Sequence, residues 1–148
     1  MDKAKALLSL AKVCETTHSW AINIDCAIFA TVHPDKFSDE ASAAFYARLD
    51  WTRNLADRQW LREVGMSQYT SSIDAAMTLV PEGWSIGVGD LRGYDPPIWR
   101  AHLRDHRPQS LSPEGHSTIW VEGNTPISMA KAICAAALRA LAAEATNG

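Results

Sequence analysis

The chain has 148 residues, of which 47% are hydrophobic and 21% charged, and its formal net charge at pH 7 is −3. This size and balance are typical of one globular domain and exclude a disordered chain. The acidic balance argues against a general nucleic-acid coat protein, whose domains usually carry a basic excess.

The spacing of the cysteines and the apolar runs of the sequence indicate the cellular compartment of the protein. Cys14, Cys26 and Cys134 are far apart and form no C-x-x-C pair, which favours buried thiols in a reducing cytoplasm over a disulfide framework. The N-terminus lacks the long apolar segment of a secretory signal. The most apolar run, residues 127–143, is mostly alanine and is interrupted by two basic residues, so we expect a helix of a soluble protein. We therefore expect a cytoplasmic protein without membrane contact.

Helical periodicity dominates the start of the chain. Apolar residues recur at steps of three and four between Leu7 and Cys14, and again between Trp20 and Ile28, which predicts two amphipathic helices. The second helix is expected to end before Pro34, because the residue that precedes a proline disfavours helical geometry.

A further helical region follows. Ser38 opens it with a capping residue and acidic residues in the first turn, and Gly65 is a suitable stop. The pattern leaves open whether this region is one helix or two that are broken near Asp50. It contains Trp51 and Trp60, for which we consider an exposed platform or an oligomer contact.

Residues 68–143 predict the order helix–strand–strand–strand–helix. Ser71, with Asp74 three residues later, is a weak form of the capping box and begins a short helix. Alternating side chains then predict three strands, which are separated by loops rich in proline, glycine and serine. The predicted strands are residues 84–89, 98–105 and 118–122.

An alanine-rich helix closes the chain, with Thr125 as its predicted N-cap and Pro126 at its first position. Three successive strands form an antiparallel meander, and amphipathic helices packed on it make an α+β layered domain. If the helices of residues 1–67 cover the other face of the sheet, the result is an α/β/α sandwich. We expect a single domain over residues 1–148, with residues 68–143 as its core.

The first predicted strand has one nearly bare face. Its large residues alternate with Ser85, Gly87 and Gly89, so one side of the strand carries almost no side chain. Together with Gly93, these glycines superficially resemble a dinucleotide fingerprint, but the spacing differs and no helix follows. Glycine instead allows another backbone, an aromatic ring or a ligand to approach the sheet closely.

The second predicted strand is the best functional lead. Arg100, His102 and Arg104 alternate with apolar residues and so project from one face. In an antiparallel meander this face aligns with the bare face of the first strand, where two guanidiniums and an imidazole suit a phosphate or a carboxylate. Trp120 adds a stacking surface if it points the same way. The predicted ligand-binding residues are Arg100, His102, Arg104, Ser85, Gly87, Gly89 and Trp120.

A simpler interpretation of the same residues is a solvated polar sheet face. Polar outer faces are the default for antiparallel sheets, and Asp90, Asp105 and Glu122 supply balancing charge. In this interpretation the cationic side chains have no ligand.

Catalytic and metal motifs are missing from the sequence. His102 and His106 have the spacing of two metal ligands on a helix, but the segment is a predicted strand that runs into a loop. There is no G-x-S-x-G elbow and no Cys/His active-site signature. We therefore expect no enzyme, no metal and no cofactor.

Three stretches carry a family resemblance: Y69-T-S-S-I-D-A-A-M-T-L-V-P-E-G-W84, the closing T125-P-I-S-M-A-K-A-I-C-A-A-A-L-R-A-L141, and D25-C-A-I28. Together they resemble the small phage and prophage proteins grouped as the phage ABA-sandwich domain family. The resemblance covers residues 68–143 and, more loosely, 1–33. It implies an α/β/α layering, a phage or prophage origin and residence in the cytoplasm of an infected or lysogenic host. It supplies no catalytic residues.

The order α-β-β-β-α is also similar to double-stranded-RNA-binding domains. Those domains present a lysine cluster at the start of the final helix to the phosphates, whereas only Lys131 stands there in this acidic chain. Binding of nucleic acid is therefore a minor alternative.

These observations lead to one functional hypothesis and two alternatives. The leading hypothesis is a phage accessory protein that binds a small anionic ligand, such as a cyclic nucleotide, and sequesters a nucleotide-derived signal of antiviral immunity. Alanine-rich helix faces and surplus tryptophans make us expect a homo-oligomer. The alternatives are a protein-interaction module that inhibits a host protein, and a double-stranded-RNA-binding-like module.

Overall fold

The computed structural model describes residues 2–18, 21–49 and 55–147. The helices that it contains are Lys3–Thr16 (α1), Ala21–Val32 (α2), Glu40–Tyr46 (α3), Leu55–Glu63 (α4), Ile73–Met77 (α5) and Met129–Asn147 (α6). The strands are Trp84–Leu91 (β1), Ile98–Asp105 (β2) and Trp120–Thr125 (β3). Short 3₁₀ turns lie at Pro34–Lys36 and Pro108–Ser110.

The strands form one antiparallel sheet in the order β1-β2-β3. The predicted fold class, α+β with a three-stranded antiparallel meander layered with helices, is confirmed. The predicted bounds of β2, Ile98–Asp105, match the structure, and apolar and polar side chains alternate from Trp99 to Arg104.

Helix α6 occupies the centre of the molecule. It packs on β2 and β3 on one side and on α1 and α5 on the other, so nearly all of its residues from Ala130 to Ala142 are buried. Alanine suits this position because its short side chain lets helix and strand backbones approach closely. The closest approach is at Gly123 of β3, where an added Cβ would lie 2.6 Å from the amide nitrogen of Ala136.

The N-terminal helix α1 lies alongside α6 and also reaches β3. Glu15 at its end forms an ion pair with Arg139 of α6 at 2.6 Å and accepts a hydrogen bond from the Asn124 backbone at 2.8 Å. The helices therefore pack on the face of the sheet that carries Ala101 and Leu103, which are both fully buried. The sequence left open whether the N-terminal helices cover the opposite face. Helix α1 packs beside α6 instead, and Arg104 and Trp120 on the opposite face are exposed.

The remaining N-terminal helices form a second part of the core. The rings of Phe29, Phe37, Tyr46 and Trp60 contact one another in sequence, with centroid distances of 5.4–5.8 Å. Trp60 is thus packed against neighbours although 38% of its surface is exposed. Trp51, the other half of the predicted platform, lies outside the described residues, as do Trp20 and Asp50.

Several helix ends differ from the prediction. The N-cap of α5 is Ser72, whose hydroxyl accepts from the Ala75 amide, and not Ser71. Helix α6 begins at Met129, behind Ser128, instead of directly after Thr125. Thr125 stays in β3 because its hydroxyl donates to the Glu15 carbonyl and so joins the strand to α1. The position of Thr125 thus depends on a tertiary contact, whereas Ser72 and Ser128 cap their helices through local hydrogen bonds.

Candidate functional site

The polar face of the sheet brings the predicted site residues together. In the β1–β2 register, Ser85 is opposite Arg104, Gly87 is opposite His102, and Gly89 is opposite Arg100. In the β2–β3 register, Trp120 is opposite Arg104. Directly opposed residues in an antiparallel pair point to the same side of the sheet, so all seven side chains share this face.

The two glycines of β1 have different surroundings. An added Cβ at Gly87 would lie 2.6 Å from Nε2 of His102, because the imidazole lies across the strand at that point. A Cβ added at Gly89 would have no atom within 4 Å. The imidazole of His102 therefore fills the bare face at Gly87, and the face is open at Gly89.

The open part is a recess of about 280 Å³ at the β1 side of the sheet. Residues 88–91 of β1 line it on one side, and side chains of β2 and β3 complete the lining. The indole of Trp120 is 55% exposed, so an aromatic surface is available beside it. The residues that line the recess are Val88, Gly89, Asp90, Leu91, Arg100, His102, Arg104 and Trp120.

The two guanidiniums of the recess are not equivalent. Arg100 forms an ion pair with Glu122, which also accepts a hydrogen bond from the Asn124 side chain at 3.3 Å. The Nε of Arg100 is buried and has no hydrogen-bond partner among the described residues. Arg104 is exposed and makes no ion pair within the described part of the chain. Arg104 is therefore the guanidinium that is available to an incoming anion, and Arg100 is largely neutralised.

An acidic side chain limits the positive potential of this face, because Glu122 lies on the β3 side of the recess. We expected Asp90 to add to this balance, but it is opposite Trp99, so its side chain points to the side of the sheet that carries Ala101 and Leu103. The simpler interpretation, a solvated polar face with balancing acids, is therefore correct for Arg100 and Glu122. It does not account for Arg104 beside Trp120.

Asp105 does not belong to this face, although we expected it to balance the basic residues. It follows the inward alternation of Ala101 and Leu103 and is 1% exposed. Its carboxylate accepts hydrogen bonds from Arg107 at 2.7 and 2.9 Å and from the Ser110 hydroxyl at 2.6 Å. The hydrogen bonds from Arg107 hold the pKa of Asp105 well below its ordinary range. This carboxylate anchors the loop after β2.

One contact of the polar face was missed in the sequence. The hydroxyl of Ser85 and Nε2 of His106 are 2.7 Å apart, an arrangement that activates serine in hydrolases when a carboxylate orients the histidine. No carboxylate of the described residues hydrogen-bonds to His106, and that of the adjacent Asp105 points to the opposite side. The pair therefore lacks the third member of a triad. Only the register of β1 against the end of β2 brings these two residues together.

Three further observations concern metals, membranes and RNA. Within residues 2–18, 21–49 and 55–147, no cluster of three His, Cys, Asp or Glu side chains is arranged to hold a metal ion. None of the helices in these ranges has the length and apolar character needed to cross a membrane. Lys131 is 4% exposed and donates its ammonium to the Thr17 carbonyl, so the one lysine expected to face RNA phosphates is buried.

The chain matches no protein-family model, and searches of the curated proteins and of the solved structures found no similar protein. The resemblance to the phage ABA-sandwich family therefore stays a prediction from the sequence.

Proposed function

We propose that the protein is a binding protein that captures a small anionic ligand in the recess of the polar sheet face. The observation that carries this proposal is the exposed Arg104 guanidinium directly opposite the exposed Trp120 indole. An exposed arginine that forms no ion pair with the described residues offers a bidentate contact to a phosphate or carboxylate. An indole at the same site offers a stacking surface to a planar ring.

A nucleotide has both of these features. The phosphate would pair with Arg104 and the base would stack on Trp120, while Gly89 would leave the floor of the recess free for the sugar. The recess volume of about 280 Å³ is close to the lower end of ordinary ligand pockets, about 300 Å³, and suits a single nucleotide unit better than a larger cofactor.

The charge distribution predicts moderate and salt-sensitive affinity. Arg100 is already paired with Glu122, so Arg104 is the main source of positive potential in the recess. A single hydrogen-bonded charged contact contributes about 1.5–3 kcal/mol, or about 10- to 150-fold in affinity. Added salt weakens such contacts because exposed charges are screened.

The biological role that we propose is sequestration of a nucleotide-derived signal of antiviral immunity by a phage or prophage accessory protein in the host cytoplasm. This part rests on the sequence resemblance and on the small volume of the recess. Sequestration needs no chemical step, and it therefore assigns no catalytic role to the Ser85–His106 pair.

The test is a thermal-shift and native mass spectrometry screen with cyclic and linear nucleotides, inorganic phosphate and acetate. We expect a nucleotide to bind, and we expect Arg104→Ala and Trp120→Ala each to weaken binding by about tenfold or more. Arg62→Ala is the matched control, because Arg62 is an exposed arginine of α4 and does not line the recess. Arg62→Ala should bind as the wild type does.

Two results would count against ligand capture. One is the absence of binding by any compound of the panel at millimolar concentration. The other is equal binding by the wild type and Arg104→Ala. Capture of one host protein that competes with none of these compounds would instead favour the interaction-module alternative.

A further inference from the structure

The two edges of the sheet differ in how their backbone groups are satisfied. At the β3 edge the Asn124 amide donates to the Glu15 carboxylate at 2.8 Å, and the Glu122 carbonyl accepts from the Arg139 guanidinium at 2.7 Å. Side chains of α1 and α6 therefore cover this edge and prevent another strand from pairing there.

Among the described residues, no side chain of a helix hydrogen-bonds to the β1 edge in this way. The His106 amide donates to the Gly83 carbonyl at 3.0 Å, which makes these two residues a hydrogen-bonded pair of the β1–β2 ladder. Because such pairs alternate along an antiparallel ladder, the backbone groups of Ile86, Val88 and Asp90 point away from β2. Within the described part of the chain, their outward N–H and C=O groups have no hydrogen-bond partner.

The side chains of β1 do not protect this edge either. Natural edge strands carry lysine, proline or bulges that discourage pairing with another chain. Strand β1 is eight residues long, pairs with β2 without a bulge, and has Asp90 as its one charged residue. Val88 lies on this edge and is 55% exposed. A long, regular and nearly uncharged edge of this kind favours strand addition.

We propose that the β1 edge is the dimer interface of this protein, where β1 pairs antiparallel with β1 of a second copy to form a continuous six-stranded sheet. The occupant is a second copy because the strand is complementary to itself across a two-fold axis. With the axis at Gly87, Ile86 is opposite Val88 of the other copy, and the reverse pair forms by symmetry. Both pairs bring apolar side chains together.

Charge favours the same register. Asp90 would be opposite Trp84 of the second copy, so no like charges oppose each other across the interface. On the polar face the two Gly87 residues would be opposite each other, which leaves room for the His102 ring that already lies across this strand.

Dimerisation would also change the recess, and this consequence rests on the proposed function. Residues 88–91 of β1 line the recess, and a second β1 would extend this side with its own Ser85, which is opposite Gly89 in this register. The two rows of Arg100, His102 and Arg104 would then stand three strand spacings apart, about 14 Å, with glycines between them. Such a trough suits a ligand with two phosphates better than either recess alone.

The test of the dimer uses no ligand, so its result is independent of nucleotide binding. Analytical ultracentrifugation should give the wild type twice the chain mass of 16.2 kDa. Val88→Pro removes an outward amide that the single chain does not use, and Val88→Lys places a charge against Ile86 of the second copy. Both variants should sediment as monomers, whereas Val88→Thr, which keeps the amide and the side-chain shape, should remain dimeric.

Cooperative thermal unfolding of each variant checks that its fold is intact. If Val88→Pro does not fold, Val88→Lys tests the dimer interface by itself. Amide hydrogen exchange of residues 84–91 should become slower as protein concentration rises. A monomeric wild type at all concentrations, or a dimer that both Val88→Pro and Val88→Lys leave intact, would overturn the proposal. A dimer that binds no nucleotide would support this interface and contradict only the proposed function.

Discussion

Replacement of Gly123 by alanine tests the packing on which the fold depends. The added methyl group would lie 2.6 Å from the Ala136 amide nitrogen, 2.9 Å from the Ala135 Cβ and closer still to the Ala132 carbonyl oxygen. Ordinary contacts between such atoms are about 3.5–4.0 Å, so the strand and the helix must separate by about 1 Å. The neighbours at this point are mostly helix backbone, which cannot turn away as a flexible side chain can.

The expected loss of stability is large for a single methyl group. Overpacking of a well-packed core usually costs about 1–3 kcal/mol, and we expect the upper end because α6 supplies the centre of the core. A loss of about 3 kcal/mol corresponds to a decrease of about 6–12 °C in Tm for a chain of this size. Since domains are stable by about 5–15 kcal/mol, the variant should still fold, with a reduced margin.

Two other glycines provide matched controls. Gly89→Ala places its methyl group in open space and should change stability by less than about 0.5 kcal/mol. Gly87→Ala meets the His102 ring, which can rotate away, so we expect an intermediate loss of about 1 kcal/mol. Urea unfolding followed by tryptophan fluorescence measures all three variants. If Gly123→Ala and Gly89→Ala agree within about 0.5 kcal/mol, the close approach of α6 to β3 is not the constraint that we describe.

Two further predictions concern buried carboxylates. Burial raises the pKa of Asp25 to about 6 despite hydrogen bonds from Thr70. Between about pH 4 and pH 6 the folded state therefore keeps a proton that the unfolded chain releases. The free energy of unfolding should fall by about 3 kcal/mol as the pH rises through this range. Asp25→Asn should remove this slope in urea titrations, and an equal slope in both proteins would refute it. The pKa of Asp105 is instead depressed by Arg107, so its stabilising contribution is present at neutral pH and is lost only as pH falls through that low value. Asp105→Asn should lower the free energy of unfolding by about 2–3 kcal/mol at pH 7, because charged hydrogen bonds are lost, and Ser110→Ala should lower it by about 1 kcal/mol. Equal stability of the wild type and Asp105→Asn would contradict this hydrogen-bond network.

Much of the candidate site follows from strand alternation. Successive side chains of a strand point to opposite faces, so Arg100, His102 and Arg104 had to share a face once the segment was recognised as a strand. Their alignment with Gly87 and Gly89 followed from the expectation that neighbouring strands pair as a meander, and the register confirms this alignment.

The partners of these side chains did not follow from the sequence. Whether Arg100 is free or neutralised depends on Glu122, 22 residues away, and on the register of β3 against β2. The same holds for the pairing of Ser85 with His106 and for the inward position of Asp105. We assigned Asp105 to the polar face from charge balance, whereas alternation along β2 places its side chain on the inner face with Ala101 and Leu103.

The sequence by itself determined the class of fold, the extent of β2, the helical character of the N-terminal part and the composition of the polar face. These features arise from periodicity and from the conformational preferences of neighbouring residues, which act over a few positions of chain. Tertiary structure alone decided that α6 is central, that α1 and α6 cover the β3 edge and that the β1 edge is open. Each of these depends on contacts between segments that are far apart in the chain, and only packing of the complete chain selects among them.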